Sequence, residues 1–303
     1  MILRILKWAI GLVILAVTSY GGYYYYSVTS LDTTQLTDDL YMIKGLIGGN
    51  VAVLRTAEGT VIVDTLMFPG QAETLRKKAS ELTGKEVIMI INTHWHPDHT
   101  NGNPTFDGGI RVISTERTLE YLKPYAAQTW ERDTNLPNET FTMEREISVG
   151  GKTLRLIHPG PGHTNGDLVV HFVDENIIHT GDLVVHGHYP NIDLRHGGTV
   201  QGWGATLDNV LALPFDAAIP GHGTMTDRDG VRQFQTFLKQ LATVGRDAAA
   251  NNNTLDQTIA TADLTADADY VPMSFMFRVR FDREFVIMRA WEEATGKSAT
   301  PGT

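Results

Sequence analysis

Cysteine is absent from the 303-residue sequence, which excludes disulfide staples, thiolate metal ligands and cysteine nucleophiles together. Any metal ion must then be held by histidine and carboxylate, a donor set that suits zinc best and also accommodates iron, manganese or cobalt. Positive charge is scarce: 25 Lys and Arg stand against 35 Asp and Glu, a formal net charge of −10. No dense basic block interrupts that balance, so phosphate backbones find no electrostatic attraction and no nucleic-acid partner is expected. Low-complexity tracts and short repeats are also missing. A chain of this length with 42% hydrophobic residues can bury a substantial core, as expected of a globular enzyme acting on a small molecule.

One stretch lacks charge altogether. From Trp8 to Leu31 no residue is ionic, more than the roughly 20 positions needed to cross a bilayer as a helix. Arg4 and Lys7 precede it, and the positive-inside rule then leaves the following chain outside the cytoplasm. Tyr20 and the run of tyrosines at 23–26 fall where an outer interface would hold aromatic rings. The apolar part at 8–17 also has the length of a signal-peptide core, but no small-x-small cleavage site follows it. The expectation is a transmembrane anchor over 1–31 with an extracytoplasmic, periplasmic or outer-face catalytic part, or a secreted protein if that segment is cleaved.

Residues 32–39 read as a polar linker. Short strands follow at 41–43, 51–56 and 60–64, separated by glycine-containing turns. Leu75, Ala79 and Leu82 stand at helical spacing before Gly84, and 87–91 is a buried-strand run. A strand at 112–113 leads into a helix at 115–122, and 124–145 reads as a long loop or lid. A second set of strands at 154–157, 168–173 and 177–180 is followed by helix 203–213, strand 217–219 and helix 231–246, with a last helix at 283–291. Two such half-units predict an α/β fold, an αββα sandwich of two face-to-face mixed sheets with helices on both outer faces. The expected organisation is an N-terminal segment at 1–31, a catalytic domain at 40–250 and a C-terminal extension at 251–303 packed on that domain.

Directly after the strand at 87–91 stand His94, Trp95, His96, Pro97, Asp98 and His99, three imidazoles and a carboxylate in six residues, a pattern that points to a metal site. Further donors each follow a predicted strand beside glycine: His163 after Gly162, Asp182 after Gly181, and His222 between Gly221 and Gly223. Strand ends are where loops converge on a ligand in α/β folds, and glycine lets the backbone approach closely and turn sharply.

These motifs, with Asp64 after an early strand, resemble the metallo-β-lactamase superfamily of binuclear zinc hydrolases, whose five motifs occur here in order between residues 40 and 225. The resemblance implies that His94, His96 and His163 bind one zinc, that Asp98, His99 and His222 bind a second, and that Asp182 bridges them. Asp64 would orient a ligand without being one. Two zinc ions about 3.5 to 4 Å apart can share a hydroxide and polarise a scissile carbonyl, while Asp98 is placed to orient the hydroxide and relay its proton. Superfamily members with a cysteine ligand carry it where Asp182 stands. The chain therefore more nearly resembles the glyoxalase II, lactonase and general hydrolase branch. Di-iron oxygen reductases on this fold usually have Glu in place of His96, which disfavours redox chemistry here.

The implied activity is hydrolysis of an activated acyl bond in a thioester, a lactone or a β-lactam. A β-lactamase proper, a phosphodiesterase on the same metal pair and a non-enzymatic metal-binding envelope module are the alternatives. His186, His188 and Tyr189, in the glycine-rich loop after Asp182, are candidates for the substrate pocket. His158, His171, His179 and His196 read as ordinary strand or loop residues. Trp95, Trp130 and Trp203 could line the pocket, although a Trp in such a domain is more often core. Residues 226–297, with the basic group Arg278, Arg280 and Arg283, would correspond to the glutathione-gripping C-terminal helical region of glyoxalase II enzymes, but charges alternating with Phe277, Val279 and Phe281 fit a solvated edge strand better.

Overall fold

The computed structural model describes residues 2–106, 108–130, 135–275 and 279–299. Helix α1 (Ile2–Thr29) leads into a sheet built from β1 (Leu31–Gln35), β2 (Leu40–Gly45), β3 (Asn50–Arg55) and β4 (Thr60–Val63). After α2 (Pro69–Thr83), that sheet continues through β5 (Val87–Ile91), the single-turn helix α3 (Pro97–Thr100), β6 (Arg111–Thr115), α4 (Glu116–Thr129) and β7 (Glu139–Phe141). Its seven strands lie in chain order, antiparallel from β1 to β4 and parallel from β4 to β7.

The second half begins with β8 (Glu144–Val149), β9 (Lys152–Ile157), β10 (Val169–Phe172) and β11 (Ile177–His179). It continues through α5 (Val200–Leu211), β12 (Ala217–Ile219), β13 (Thr226–Asp227), α6 (Arg228–Ala250) and α7 (Leu255–Thr261). The hairpin β14 (Met273–Phe275) and β15 (Val279–Phe281) precedes α8 (Arg283–Thr295). Strands β8 to β13 form a six-stranded sheet in which only β11 and β12 run parallel.

Side-chain alternation along β3 explains the layering. Ala52 and Leu54 join Val170, Phe172 and Leu156 of the second sheet in a core between the sheets, while Val51 and Val53 pack with Leu75 and Ala79 under α2. A period of two makes both faces of such a strand apolar when both are covered. On the far side, Val169, Ile178 and Ala218 meet Trp203 and Leu207 of α5, Phe234 and Leu241 of α6, and Ile287 of α8. The result is the expected αββα sandwich. Glu293 of α8 accepts hydrogen bonds from Thr199 Oγ1 at 2.5 Å and Val200 N at 2.7 Å, so its carboxylate occupies the positive N-terminus of α5.

The membrane-spanning anchor expected over 1–31 is not supported: among the described residues no helix is long and apolar enough to cross a membrane. Helix α1 has the length, but its apolar part ends at Val17 and continues as Thr18, Ser19, Tyr20, Gly21 and Gly22, so apolarity is not sustained over the span. The extracytoplasmic location expected from that anchor has no support in the fold. Three further expectations change. Part of the 32–39 linker is β1, paired antiparallel with β2. Helix α4 runs through Pro124 because buried Leu122 and Ala126 hold it on either side while Pro124 faces outward. Strands β7 and β8 occupy the end of the 124–145 segment. Phe277 and Arg278 lie outside the described residues.

Candidate metal centre

Every expected ligand hangs from the end of a strand. His94 and His96 follow β5, Asp98 and His99 lie on α3 immediately after it, and His163 follows β9. Asp182 sits in the 3₁₀ turn Gly181–Leu183 after β11, and His222 follows β12. β4 and β5, within the parallel part of the first sheet, and β11 and β12, the parallel pair of the second, run side by side, so their carboxyl ends open on one crevice. Ligating atoms of His94, His96 and His163 lie within 4.8 Å of one another, as do those of Asp98, His99 and His222. Asp182 stands between the two groups, 3.2 Å from His99 Nε2, 3.5 Å from His222 Nε2 and 3.6 Å from His163 Nε2. All seven expected ligand residues are thus gathered in one place.

Hydrogen bonds around the rim decide which nitrogens face inward. His163 Nδ1 is 2.9 Å from the carbonyl of Asn191, which can only accept, so Nδ1 carries the proton. His96 Nε2 faces Asp193 Oδ2 at 3.0 Å, and a carboxylate likewise requires a donor. Thr93 Oγ1 donates to Asp64 Oδ2 at 2.7 Å and therefore accepts from His94 Nδ1 at 3.0 Å. In the neutral rings the remaining nitrogens all carry lone pairs. These are His94 Nε2, His96 Nδ1 and His163 Nε2, and His96 Nδ1 lies 3.1 Å from the first and 2.7 Å from the last. Three converging lone pairs repel one another unless a cation sits among them, which is the arrangement of a three-histidine zinc site.

The other group has the same character. Buried Asp64 accepts from Thr93 N at 2.8 Å and from His99 Nδ1 at 2.7 Å, which turns His99 Nε2 toward the carboxylates. His99 Nε2 and Asp182 Oδ1 are buried 3.2 Å apart without an aligned hydrogen bond between them, so an inward-facing nitrogen and a carboxylate oxygen meet where a divalent ion could sit. Asp64 itself adopts a left-handed backbone, φ 65°, which Asp tolerates better than most residues. Two glycines make room: a Cβ on Gly49 would lie 2.2 Å from His99 Cε1, and one on Gly221 would lie 2.0 Å from Asp182 Oδ1.

Electrostatics follow the same division. Burial depresses His94 well below its ordinary value and His163 to about 4, so both are neutral and able to coordinate. Burial would also depress His222, but the Asp182 and Asp98 carboxylates push it up to about 9. His99 is raised for the same reason, by Asp182, Asp98 and Asp64 against burial. Burial would raise Asp98, yet His99 and His222 hold it at about 2. Protons on two imidazoles thus balance the carboxylates where a cation would otherwise do so.

The remaining expectations divide. His186 hydrogen-bonds Thr224, and half-buried His188 forms an isolated bridge with Val271. Tyr189 is buried in the helical core against Phe237 and Tyr270, its hydroxyl donating to Asp267 at 2.9 Å. Arg283 pairs with the same Asp267, and Arg280 pairs with Asp282. Trp203 is core, its Nε1 on the carbonyl of Leu183. His179 accepts from Gly181 N and faces the carbonyl of Asn50, and His158 Nδ1 faces the carbonyl of Asp167. His171 is buried in β10. His196 lies nearer the centre than expected: its Nδ1 is 2.7 Å from Asp193 Oδ2, and its ring is 4.4 Å from that of Trp95. Sequence reasoning missed Asp193 and Thr93. The one available signal was Asp193 as N-cap of a short turn that ends at His196.

Paired sheets whose strand ends converge on a histidine and carboxylate centre define a metal-dependent enzyme class with an αββα scaffold. Residues 45–222 match the family described as the metallo-beta-lactamase superfamily, and the chain belongs to it, a superfamily of metal-dependent hydrolases. The alpha subunit of a 2,4-dinitroanisole O-demethylase from Nocardioides sp. (strain JS1661) is 31% identical over 168 residues, 54% of this chain and 49% of that protein. The chain thus spans about half the length of that relative. A type 2 metallo-beta-lactamase from Bacillus cereus is 26% identical over 191 residues, 62% of this chain and 72% of that protein. In structure, a metallo-beta-lactamase from Pontibacter korlensis superposes with a TM-score of 0.59 at 22% identity, covering 69% of this chain and 99% of that one, a likeness of fold.

Proposed function

We propose that the chain is a two-zinc hydrolase that adds water across an activated acyl bond, as in a thioester, a lactone or a β-lactam. His94, His96 and His163 hold one ion, Asp98, His99 and His222 the other, and Asp182 stands between them. The observation that carries this reading is the convergence of three lone-pair nitrogens at 3.1 and 2.7 Å. Zinc, when bound, supplies an acidified water and a Lewis acid for the carbonyl.

The chain's own groups do the rest. Asp98 Oδ2 lies 3.2 Å from His222 Nε2 and is ionised, so it can take a proton from the attacking water and return it to the leaving atom. Asp64, Asp193 and the Asn191 carbonyl fix the imidazoles so that binding an ion requires little reorganisation. Residues 251–303 belong to the same folding unit in this reading, since Glu293 caps α5 and Ile287 joins the core.

The test is a chromogenic panel of ester, thioester, lactone and β-lactam substrates on the zinc-loaded full chain, with and without chelator. Bis-nitrophenyl phosphate probes phosphodiester cleavage, and 2,4-dinitroanisole enters because the Nocardioides relative is named for its demethylation. Chelator-sensitive turnover of an acyl substrate supports the proposal. Two bound metals with no turnover anywhere in the panel would favour a binding module.

A further inference from the structure

A groove of about 730 Å³ opens between the start of α2, the 3₁₀ turn Asn103–Thr105 and the end of α4. Its walls are Met67, Phe68, Pro104, Phe106 and Trp130, and no ionisable side chain lines it among the described residues. Pockets of a few hundred Å³ with apolar walls and few polar groups are what small organic ligands occupy. One wall is pinned, because Trp130 Nε1 donates to Asn101 Oδ1 at 3.1 Å.

The groove adjoins the metal centre at two points. Asn101 is the C-cap of α3, the helix that carries Asp98 and His99. At the other end, a Cβ on Gly48 would lie 3.4 Å from the carbonyl oxygen of Asp98 and 3.5 Å from Met67 N, so Met67 and Asp98 flank the same residue.

We propose that this groove is the subsite for an uncharged aromatic substituent of the substrate, whose reactive bond then lies over the metal centre. The assignment rests on the hydrolase reading for the bond and on the groove for the substituent. Faces of Trp and Phe rings favour offset or edge contact with another ring. A charged substituent would lose its hydration and find no partner among the described residues. Aliphatic acyl chains would gain burial but not ring contact, and polar or ionic ones neither.

The test pairs binding with kinetics on the zinc-loaded full chain. Calorimetric titration compares neutral 2-acetylnaphthalene with 6-acetylnaphthalene-2-sulfonate, whose charge sits on the ring that enters the groove and which is expected to bind at least tenfold more weakly. Two variants change the groove: Trp130→Ala removes a wall, and Gly108→Phe adds a ring where nothing lies within 4 Å of a Cβ. Each should weaken 2-acetylnaphthalene at least fivefold. In the kinetic arm, the ratio of kcat/KM for a phenylacetyl thioester over an acetyl thioester should fall about tenfold in Gly108→Phe. Equal affinity for the two naphthyl probes, or an affinity unmoved by both variants, overturns the proposal. Probe binding that follows the variants while no acyl substrate turns over removes the hydrolase reading and leaves the subsite standing. Acyl turnover whose ratio ignores the variants does the reverse.

Discussion

His96 and Asp193 meet across 97 residues of chain, Nε2 to Oδ2 at 3.0 Å, and this contact turns His96 Nδ1 toward His94 and His163. Carboxylate partners of metal-bound imidazoles fix ring orientation, and their loss typically weakens metal binding about 10- to 100-fold. Asp193→Ala is therefore expected to lower zinc affinity by that order while leaving the far-ultraviolet spectrum unchanged. Competition against a chromophoric chelator measures it, and unchanged affinity would show that Asp193 only caps the turn it begins.

Asp64 accepts from Thr93 N, Thr93 Oγ1 and His99 Nδ1 with no exposed surface. Asp64→Ala leaves those donors unsatisfied at about 1–3 kcal/mol each before relaxation. A fall of several kcal/mol in urea-unfolding stability of the metal-free protein is expected. A change under 1 kcal/mol would mean that water replaces the carboxylate.

Two glycine substitutions should separate sterics from backbone strain. Gly84 has φ 72° with nothing within 4 Å of a Cβ, whereas a Cβ on Gly49 would strike the His99 ring. Gly84→Ala is expected to cost about 1 kcal/mol, the usual penalty of a left-handed alanine, with zinc stoichiometry intact. Gly49→Ala should displace His99 and lose one equivalent of metal, as elemental analysis of the two variants would record.

Metal removal and single imidazoles form a fourth test. Chelator should lower the melting temperature, and excess zinc should restore it, by about 4 kcal/mol when free metal is 1,000 times its Kd. His96→Ala is expected to abolish most of that response. His171→Ala, deep in β10 and outside the centre, should preserve it within a few-fold in affinity. Equal losses would implicate the wrong imidazoles.

Alkaline pH tests a cation far from the metal centre. Burial disfavours the Lys152 ammonium, but Asp39 at 2.8 Å and Glu175 at 2.6 Å together outweigh it and raise it from 10.5 to about 12. The folded state holds this proton more tightly than the unfolded chain, so the contribution is fully present below pH 10.5 and is lost as pH rises through about 12. Lys152→Met should be less stable than the parent by a constant margin from neutrality to about pH 10. The margin should then shrink as the lysine titrates, and urea midpoints across that range give the curve.

The candidate ligands were legible because they follow short apolar runs and five of the seven neighbour a glycine or proline, signals that survive in one dimension. Layering was legible from the two-residue period of strands such as β3 and the helical spacing of Leu75 and Ala79. Asp193 was not, since it lies in an irregular segment and its partner is distant in sequence. The packing of Tyr189 against Phe237 and Tyr270 was not legible either, because a loop carries no periodicity to show which way a ring turns. Its partner Asp267 lies in a polar stretch with no pattern of its own. Apolar composition likewise overstated α1, whose tyrosines and glycines lengthen a helix without making it greasy.

Glu293 at the head of α5 ties the last helix to Thr199 and Val200, a few residues beyond Asp193. The shape of the loop that carries Asp193 is thereby entrusted partly to α8, almost a hundred residues further along the chain. Clipping α8 away would strip a clamp from the segment that steers His96, so damage at the tail should be felt first as leaky metal retention, before any sheet comes apart.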